Sequence, residues 1–127
     1  MIDFHTRDFV EALHIEQLRL HGGAAGLRDE GMLASALARP LQKQAYGEPD
    51  LCELAAAYLF GIVKNHPIVD GNKRTGLAAA DTFLYFNGLS LEAEQEDVIQ
   101  FVLMVAAGEI DEAGATAFLR DHTVALK

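Results

Sequence analysis

The stretch that decides the fold runs from Leu51 to Phe86 and reads LCELAAAYLFGIVKNHPIVDGNKRTGLAAADTFLYF. Its first part, residues 51–64, is apolar on nearly every side, which predicts a helix enclosed by other helices at the centre of the fold. Its last part predicts a helix from about Asn72 to Phe86, because the Asn-Gly pair that follows is a good C-terminal stop signal. Small residues would let the two helices approach closely: Ala55, Ala56, Ala57, Gly76, Ala78, Ala79 and Ala80.

Two helices are predicted before this pair. Apolar residues recur with a period close to 3.6 over residues 8–18, and Gly22-Gly23 then stops the first helix. The second covers residues 32–38. We expect it to end before Pro40, because proline supplies no amide donor and restricts the residue before it.

Two more helices are predicted after the pair, over about 96–107 and about 111–122. Residues 41–49 are too short and too broken for a helix, which indicates an extended flap or hairpin. The sequence therefore predicts an all-α fold, a helical bundle of about six helices with a short β-hairpin flap, built as one domain over residues 1–127.

The composition narrows the class of protein. Half of the 127 residues are hydrophobic, as in a globular domain with a packed core. Ten Lys and Arg residues against nineteen Asp and Glu give a net charge of −9, which argues against generic binding to nucleic acid or to an anionic membrane.

The expected location is the cytoplasm. Cys52 is the single cysteine, so no internal disulfide can form. Residues 1–7 lack the basic segment and apolar run of a secretory signal. The longest apolar stretch, residues 54–63, is well short of the ~18 residues that suggest a membrane span.

The segment between the two central helices carries the chemistry. Pro67 pushes His66 out of helical geometry and places it at the mouth of a loop. Gly71 permits a tight turn, after which the first amides of the next helix, near Asn72 and Lys73, have no helical acceptor. Such amides form an anion site.

The charges suggest which anion. Lys73 and Arg74 lie in the first helical turn, where the helix dipole disfavours a cation. With Lys64 they place three of the ten basic residues around this helix end, so the arrangement favours a phosphate ligand. Asp70 would repel that phosphate unless a divalent cation such as Mg²⁺ lay between them. His66 could then act as a general base toward a hydroxyl, because imidazole is the side chain best suited to accept a proton near neutral pH.

Each residue also has a purely structural interpretation. His66 could be a surface or capping residue, Asp70 a turn residue, and Lys73 and Arg74 part of a solvated helix face. The combination within nine residues favours function, because the structural interpretations do not explain cations at the start of a helix.

The nine residues His66 to Arg74, HPIVDGNKR, resemble the signature loop of the Fic/Doc superfamily, and within it the Doc (death-on-curing) toxins of type II toxin–antitoxin systems. The likeness extends to residues 26–29 and 36–40 and covers essentially the whole chain. The sequence departs from the usual signature at Ile68, where the family has Phe as an apolar anchor. Lys73 replaces a glycine, and Leu77 a second arginine, of the AMP-transferring Fic enzymes, and both changes are typical of Doc proteins.

The resemblance implies an ATP- and Mg²⁺-dependent protein kinase that binds ATP reversed and transfers its γ-phosphate to a threonine of elongation factor Tu, which arrests translation. It implies that His66 is the base and Asp70 the Mg²⁺ ligand. Asn72 and the amides near Gly71 would form the anion hole. Lys73 and Arg74 would hold phosphates, and residues 42–46 would be the flap that docks the target.

The resemblance also implies a partner. Many Fic proteins inhibit themselves through a Ser/Thr-x-x-x-Glu-Gly/Asn helix, and here Ser90 and Glu94 have the spacing but Gln95 follows. Restraint would then come from a cognate antitoxin whose C-terminal segment binds in a groove. Two alternatives stay open: an AMP or other nucleotidyl transferase on the same scaffold, and a non-catalytic helical binding module.

Overall fold

Residues 1–126, which the computed structural model describes, form six helices and two short strands. This confirms the predicted all-α class with a short antiparallel pair of strands. The helices are α1 (Arg7–His21), α2 (Glu30–Ala45), α3 (Leu51–Asn65), α4 (Asn72–Phe86), α5 (Gln95–Ala106) and α6 (Glu112–Asp121), and the strands are β1 (Leu89–Leu91) and β2 (Thr123–Ala125).

Helix α3 lies at the centre of the fold, as its apolar sequence predicts. It packs against α2, α4 and α6, and its side chains from Leu54 to Leu59 are buried almost completely. Its first turn is closed by a capping box in which the Asp50 carboxylate accepts from the Glu53 amide at 2.8 Å. The Glu53 carboxylate accepts in turn from the Asp50 amide at 3.4 Å. The scaffold that carries the loop of interest is thus buried and capped.

Glycines allow α3 to approach its neighbours closely. A Cβ on Gly76 of α4 would lie 2.9 Å from Val63 Cγ2 and 3.3 Å from the Leu59 carbonyl oxygen, both in α3. On the other side of α3, a Cβ on Gly61 would lie 3.2 Å from the Cα of Ala36 in α2. A Cβ on Gly76 would therefore displace Val63, and one on Gly61 would push α2 outward slightly, so glycine favours the close packing at both positions.

The predicted end of the second helix at Pro40 is wrong. Helix α2 continues through Pro40 to Ala45. Two features offset the lost hydrogen bond: the proline ring is fully buried, and ion pairs to Glu112 of α6 hold the helix on both sides of it, from Arg39 before and Lys43 after. Tertiary contacts therefore override the local signal.

The extended flap predicted over residues 41–49 is also wrong, because most of its residues belong to the last turn of α2. The backbone leaves the helix only at Tyr46. The two short strands lie elsewhere, and β1 pairs antiparallel with β2 in the register Leu89 to Ala125. Within residues 1–126, the structure contains no helix long and apolar enough to cross a membrane.

Candidate active site

The loop of interest, residues 66–71, joins the end of α3 to the start of α4. Its first residue, His66, adopts the left-handed conformation with φ 49° and ψ 53°. The His66 amide donates to the Ile62 carbonyl at 3.3 Å and so completes the last turn of α3. Pro67 follows and cannot continue the helix. The prediction that the helix stops here and leaves His66 exposed at the loop is confirmed.

A segment from the α1–α2 connection pairs with this loop; we call it the strap, residues 23–29. The Val69 amide donates to the Gly26 carbonyl at 3.0 Å, and the amides of Arg28 and Asp29 both donate to the Pro67 carbonyl, at 2.8 and 3.1 Å. Between these bonds Leu27 forms an isolated antiparallel bridge with Ile68. The strap thus fixes the loop along its length.

Ile68 and Asn72 anchor the loop to the core. The Ile68 side chain is only 4% exposed and takes the position of the apolar anchor. The Asn72 side chain is buried, accepts from the Ile68 amide at 3.1 Å and donates to the Ile68 carbonyl at 2.9 Å. The Asn72 carboxamide therefore holds the loop closed, and only its backbone amide remains for an anion.

The Asp70 carboxylate is held from two sides and still exposed. Its Oδ1 accepts from the Gly71 amide at 2.8 Å, and its Oδ2 accepts from the Ala24 amide of the strap at 3.4 Å. A Cβ on Gly23 would lie 2.7 Å from Oδ2, so the close approach of the strap requires glycine there. The Asp70 carbonyl accepts from His14 Nε2 at 3.0 Å. Each carboxylate oxygen keeps lone pairs for a further ligand.

The start of α4 is open. Gly71 is its N-cap, with φ 85°, and no side chain caps the helix. The first helical bond runs from the Thr75 amide to the Gly71 carbonyl at 2.9 Å, which leaves the amides of Asn72, Lys73 and Arg74 without a helical acceptor. Residues 70–74 line a recess of about 200 Å³. The structure therefore brings the predicted phosphate and metal residues together.

The charges around this recess are unbalanced. Lys73 and Arg74 are exposed, and within residues 1–126 neither forms an ion pair, although the chain carries nineteen acidic residues. The prediction that Lys64 joins these two cations is wrong, because its ammonium lies near Gly108, just beyond the end of α5, and does not line the recess. Two cations, rather than three, thus face the open helix end.

The His66 imidazole is free on one side. Its Nδ1 lies 3.4 Å from Nδ2 of the Asn72 side chain, which can only donate. This distance is at the outer limit of a hydrogen bond, so the contact does not by itself select a tautomer. Its Nε2 has no hydrogen-bond partner within the described part of the chain. Both neutral tautomers are therefore open to the ring, and in the one that carries its proton on Nδ1 the Nε2 lone pair is available to an incoming hydroxyl.

The donor set fits a divalent cation that is shared with a phosphate ligand. Among residues 1–126, no group of three or more His, Cys, Asp and Glu side chains could hold a metal ion unaided. Asp70 alone offers a carboxylate at the recess. Mg²⁺ bound by one carboxylate, phosphate oxygens and water matches this arrangement.

Sequence reasoning missed the residues of the strap and His14. Gly23, Ala24 and Arg28 contact the loop from about 40 positions earlier in the chain, and nothing local to them indicates that pairing. The sequence offers one weak signal, the glycines at positions 22, 23 and 26. In the structure all three adopt positive φ, which gives this connection an unusual backbone path.

Comparison with known proteins agrees with this geometry. "Toxin Doc" of Mycolicibacterium smegmatis (strain ATCC 700084 / mc(2)155) is 50% identical over 76 residues, which is 58% of this chain and 58% of that relative, so the alignment spans little more than half of its length. "Protein kinase doc" of Escherichia phage P1 is 33% identical over 110 residues, which is 86% of each chain. The Fic/DOC family model matches residues 4–84, which include the strap, α3, the loop and most of α4. On these grounds the chain belongs to the Fic/DOC family.

Proposed function

We propose that this protein is the toxin of a toxin–antitoxin pair and a protein kinase of the Doc type. In this proposal it transfers the γ-phosphate of ATP to a threonine of elongation factor Tu, in the cytoplasm, and so arrests translation. Membership of the Fic/DOC family and the names of the two relatives support a Doc-type toxin and kinase. The target and the threonine come from the resemblance of the loop alone.

One observation carries the proposal: in an acidic protein, the start of α4 has no side-chain cap and bears two cations that form no ion pair among residues 1–126. A phosphate placed there would accept from the free amides and from Lys73 and Arg74. It would lie next to Asp70 and within the loop that presents His66. Phosphoryl transfer needs positioning and charge stabilisation more than covalent work, and this arrangement supplies both.

The proposed reaction moves one phosphoryl group from ATP to the threonine hydroxyl. His66 Nε2 accepts the proton of the threonine hydroxyl as its oxygen forms a bond to the γ-phosphorus. The bond between that phosphorus and the β–γ bridging oxygen breaks, and ADP leaves with the electron pair. Lys73 and Arg74 neutralise the charge that develops on the phosphoryl oxygens.

Mg²⁺, when bound, would neutralise charge on the triphosphate and orient it. Asp70 would hold this ion. The hydrogen bonds from Gly71 and Ala24 fix the carboxylate in place before any ligand arrives, so little reorganisation is needed on binding.

The direct test is mass spectrometry of elongation factor Tu after incubation with the purified protein, ATP and Mg²⁺. We expect a mass gain of one phosphoryl group on a threonine. An adenylyl-sized gain would show nucleotidyl transfer on the same scaffold, and no modification by a folded, ATP-binding protein would favour the non-catalytic module.

The matched pair of variants for this test is His66→Ala and His21→Ala. Both histidines are exposed, and His21, in the last turn of α1, forms no side-chain hydrogen bond to the loop within the described residues. Loss of a general base lowers the rate by about 100-fold or more. We expect that loss only in His66→Ala, and equal activity in the two variants would contradict the role of His66.

We also propose where the antitoxin binds. An apolar cleft of about 230 Å³ lies between α1 and the strap, and two of its lining residues, Pro67 and Ile68, belong to the loop. Its wall also carries the hydroxyl of Thr75, which is buried and has no hydrogen-bond partner among the described residues. An amphipathic C-terminal segment of the antitoxin would fill this cleft and contact the loop at Pro67 and Ile68.

Ile15→Glu tests this placement, because Ile15 lines the cleft and is 66% exposed. The variant should bind the antitoxin at least about tenfold more weakly, since a charge at an apolar contact is costly. Its kinase activity should be unchanged. Isothermal titration with the antitoxin measures the first quantity, and unchanged affinity would place the partner elsewhere.

A further inference from the structure

His66 occupies a backbone conformation that its own sequence does not favour. Among residues 1–126 it is the one residue other than glycine with a positive φ, at 49°. A side chain with a Cβ rarely adopts this region unless the surroundings hold it there. The direction of the imidazole depends on this backbone, so whatever holds it also aims the ring.

Arg28 of the strap supplies that hold. Its Nε donates to the His66 carbonyl at 2.6 Å and its terminal nitrogen to the Asn65 carbonyl at 2.9 Å. Its backbone amide donates to the Pro67 carbonyl at 2.8 Å. Arg28 therefore donates to three successive carbonyls, and the middle one belongs to the left-handed residue His66.

This use of an arginine differs from that of the four arginines that form ion pairs. Ion pairs with carboxylates engage Arg7, Arg19, Arg39 and Arg120, whereas Arg28 forms none within residues 1–126. The last carbonyls of a helix lack internal donors and carry partial negative charge, which a guanidinium complements. Its planar fork also fixes two acceptors in a set geometry, which the single ammonium of lysine cannot do.

We propose that Arg28 is a positioning residue for His66, holding its backbone in the left-handed conformation by gripping the carbonyls at the end of α3. The catalytic consequence rests on the proposed function, whereas the conformational consequence does not. Arg28 does not touch substrate in this assignment; it acts through the orientation of the imidazole.

The experiment compares Arg28→Ala and Arg28→Lys with wild type in two measurements. The first is the intraresidue amide-to-α-proton NOE of His66, which is strong at positive φ and should weaken in both variants. The second is kinase activity, where kcat should fall about tenfold to hundredfold in Arg28→Ala with the KM for ATP unchanged, because small displacements of a reacting group cost this much. Arg28→Lys keeps the charge and should lie between.

Arg120→Ala is the matched control. Arg120 contacts Asp50 through Nε and a terminal nitrogen at the opposite end of the same helix, so its loss removes a similar contact without reaching the loop. It should leave both the His66 NOE and kcat unchanged.

The outcomes separate the two proposals. An unchanged NOE in both Arg28 variants overturns the positioning role, whatever the activity of the protein. A raised KM for ATP with kcat intact also overturns it, because Arg28 would then bind phosphate. If the NOE weakens in the Arg28 variants while the wild-type protein phosphorylates nothing, the positioning of His66 is upheld and the kinase proposal is contradicted. If Arg28→Ala does not fold, Arg28→Lys carries both measurements.

Discussion

Helices α3 and α4 pack side by side, yet they begin in opposite ways. Helix α3 starts with a complete capping box and an acidic residue, Glu53, in its first turn. Helix α4 starts at Gly71 with no side-chain cap, no acidic residue, and Lys73 and Arg74 in its first turn. A helix end built for stability and one left open to a ligand thus lie in the same small core.

The difference has a measurable size. A side-chain N-cap stabilises a helix by about 1 kcal/mol, and a cation in the first turn costs about 0.3–1 kcal/mol. Side chains cap α1, α2, α3 and α6 but neither α4 nor α5; of these two, α5 has the acidic residues Glu96 and Asp97 in its first turn, whereas α4 has two cations there. Local helix stability is thus lower at the helix start where an anion is expected to bind.

The largest effect is expected from Lys73→Glu, which gives α4 the acidic first turn that α3 has. The proposed kinase activity should fall by at least about 100-fold in kcat/KM, because one charge-stabilising group is lost and a repulsive one is added. The folded protein should nevertheless be more stable by a few tenths of a kcal/mol. Kinetics and urea unfolding on the same sample measure both quantities.

Lys73→Gln is the control for that change, since it removes the cation without adding repulsion. It should show an intermediate loss of activity and little change in stability. A Lys73→Glu protein that keeps wild-type kcat/KM would contradict the proposal that the open start of α4 binds phosphate.

Asp50→Ala tests the capped start of α3. It removes the cap of α3 and the carboxylate that pairs with Arg120, and the free energy of unfolding should fall by about 1–2 kcal/mol. The activity of the folded protein should be unchanged, because the capping box lies at the far end of α3 from His66. Urea unfolding gives the first value, and a matching loss of kcat would show that the two helix ends are coupled.

Gly71→Ala asks how much of the α4 start depends on backbone conformation. Gly71 has φ 85°, and the nearest atom to an added Cβ is His14 Cδ2 at 4.0 Å, so the cost is strain rather than collision. We expect a loss of about 1 kcal/mol. Asn tolerates this region better than Ala, so Gly71→Asn should cost less; equal losses in thermal unfolding would mean that the φ angle is not the reason for glycine.

The smallest effect is a pH dependence at the cap of α3. Partial burial is the largest single influence on the Asp50 carboxyl and raises its pKa, but hydrogen bonds from the Glu53 amide and Arg120 together outweigh it and leave the pKa below its usual value. A depressed pKa stabilises the fold above the unfolded-state value of about 4, and this contribution is lost as pH falls through the folded-state value.

The stability advantage of wild type over Asp50→Asn should therefore be constant near neutral pH and shrink below about pH 4. Urea unfolding of both proteins between about pH 6 and pH 2 measures it. A difference that stays constant throughout this range would show that the ionised carboxylate contributes nothing beyond what the amide supplies.

Where local signals and packing agree, the sequence was sufficient to predict the structure. The bounds of α4 match the predicted residues 72–86, since a turn glycine precedes it and Asn-Gly follows it. The helix predicted over about 111–122 also forms, as α6, with the Asp111 side chain as its N-cap. Helix α2 was predicted wrongly because burial of Pro40 and two ion pairs to Glu112 are tertiary effects that no local pattern reveals.

The candidate site shows the same division. Residues 70–74 are consecutive, so the turn chemistry alone predicts that they share one recess. The role assigned to Asn72 needed revision in part, because its carboxamide is engaged with Ile68 and only its backbone amide is free. The contacts of Arg28 and Gly23 could not be predicted, since they depend on pairing two segments about 40 residues apart.

The strap has a consequence for protein engineering. The nine residues 66–74 do not carry their own geometry: His66 and Asp70 are each held by residues from a connection that precedes two helices. Grafting the nonapeptide between two helices of an unrelated bundle would transfer its chemical groups without their orientation. A working transplant would need both segments, brought together by a host that supplies the intervening helices.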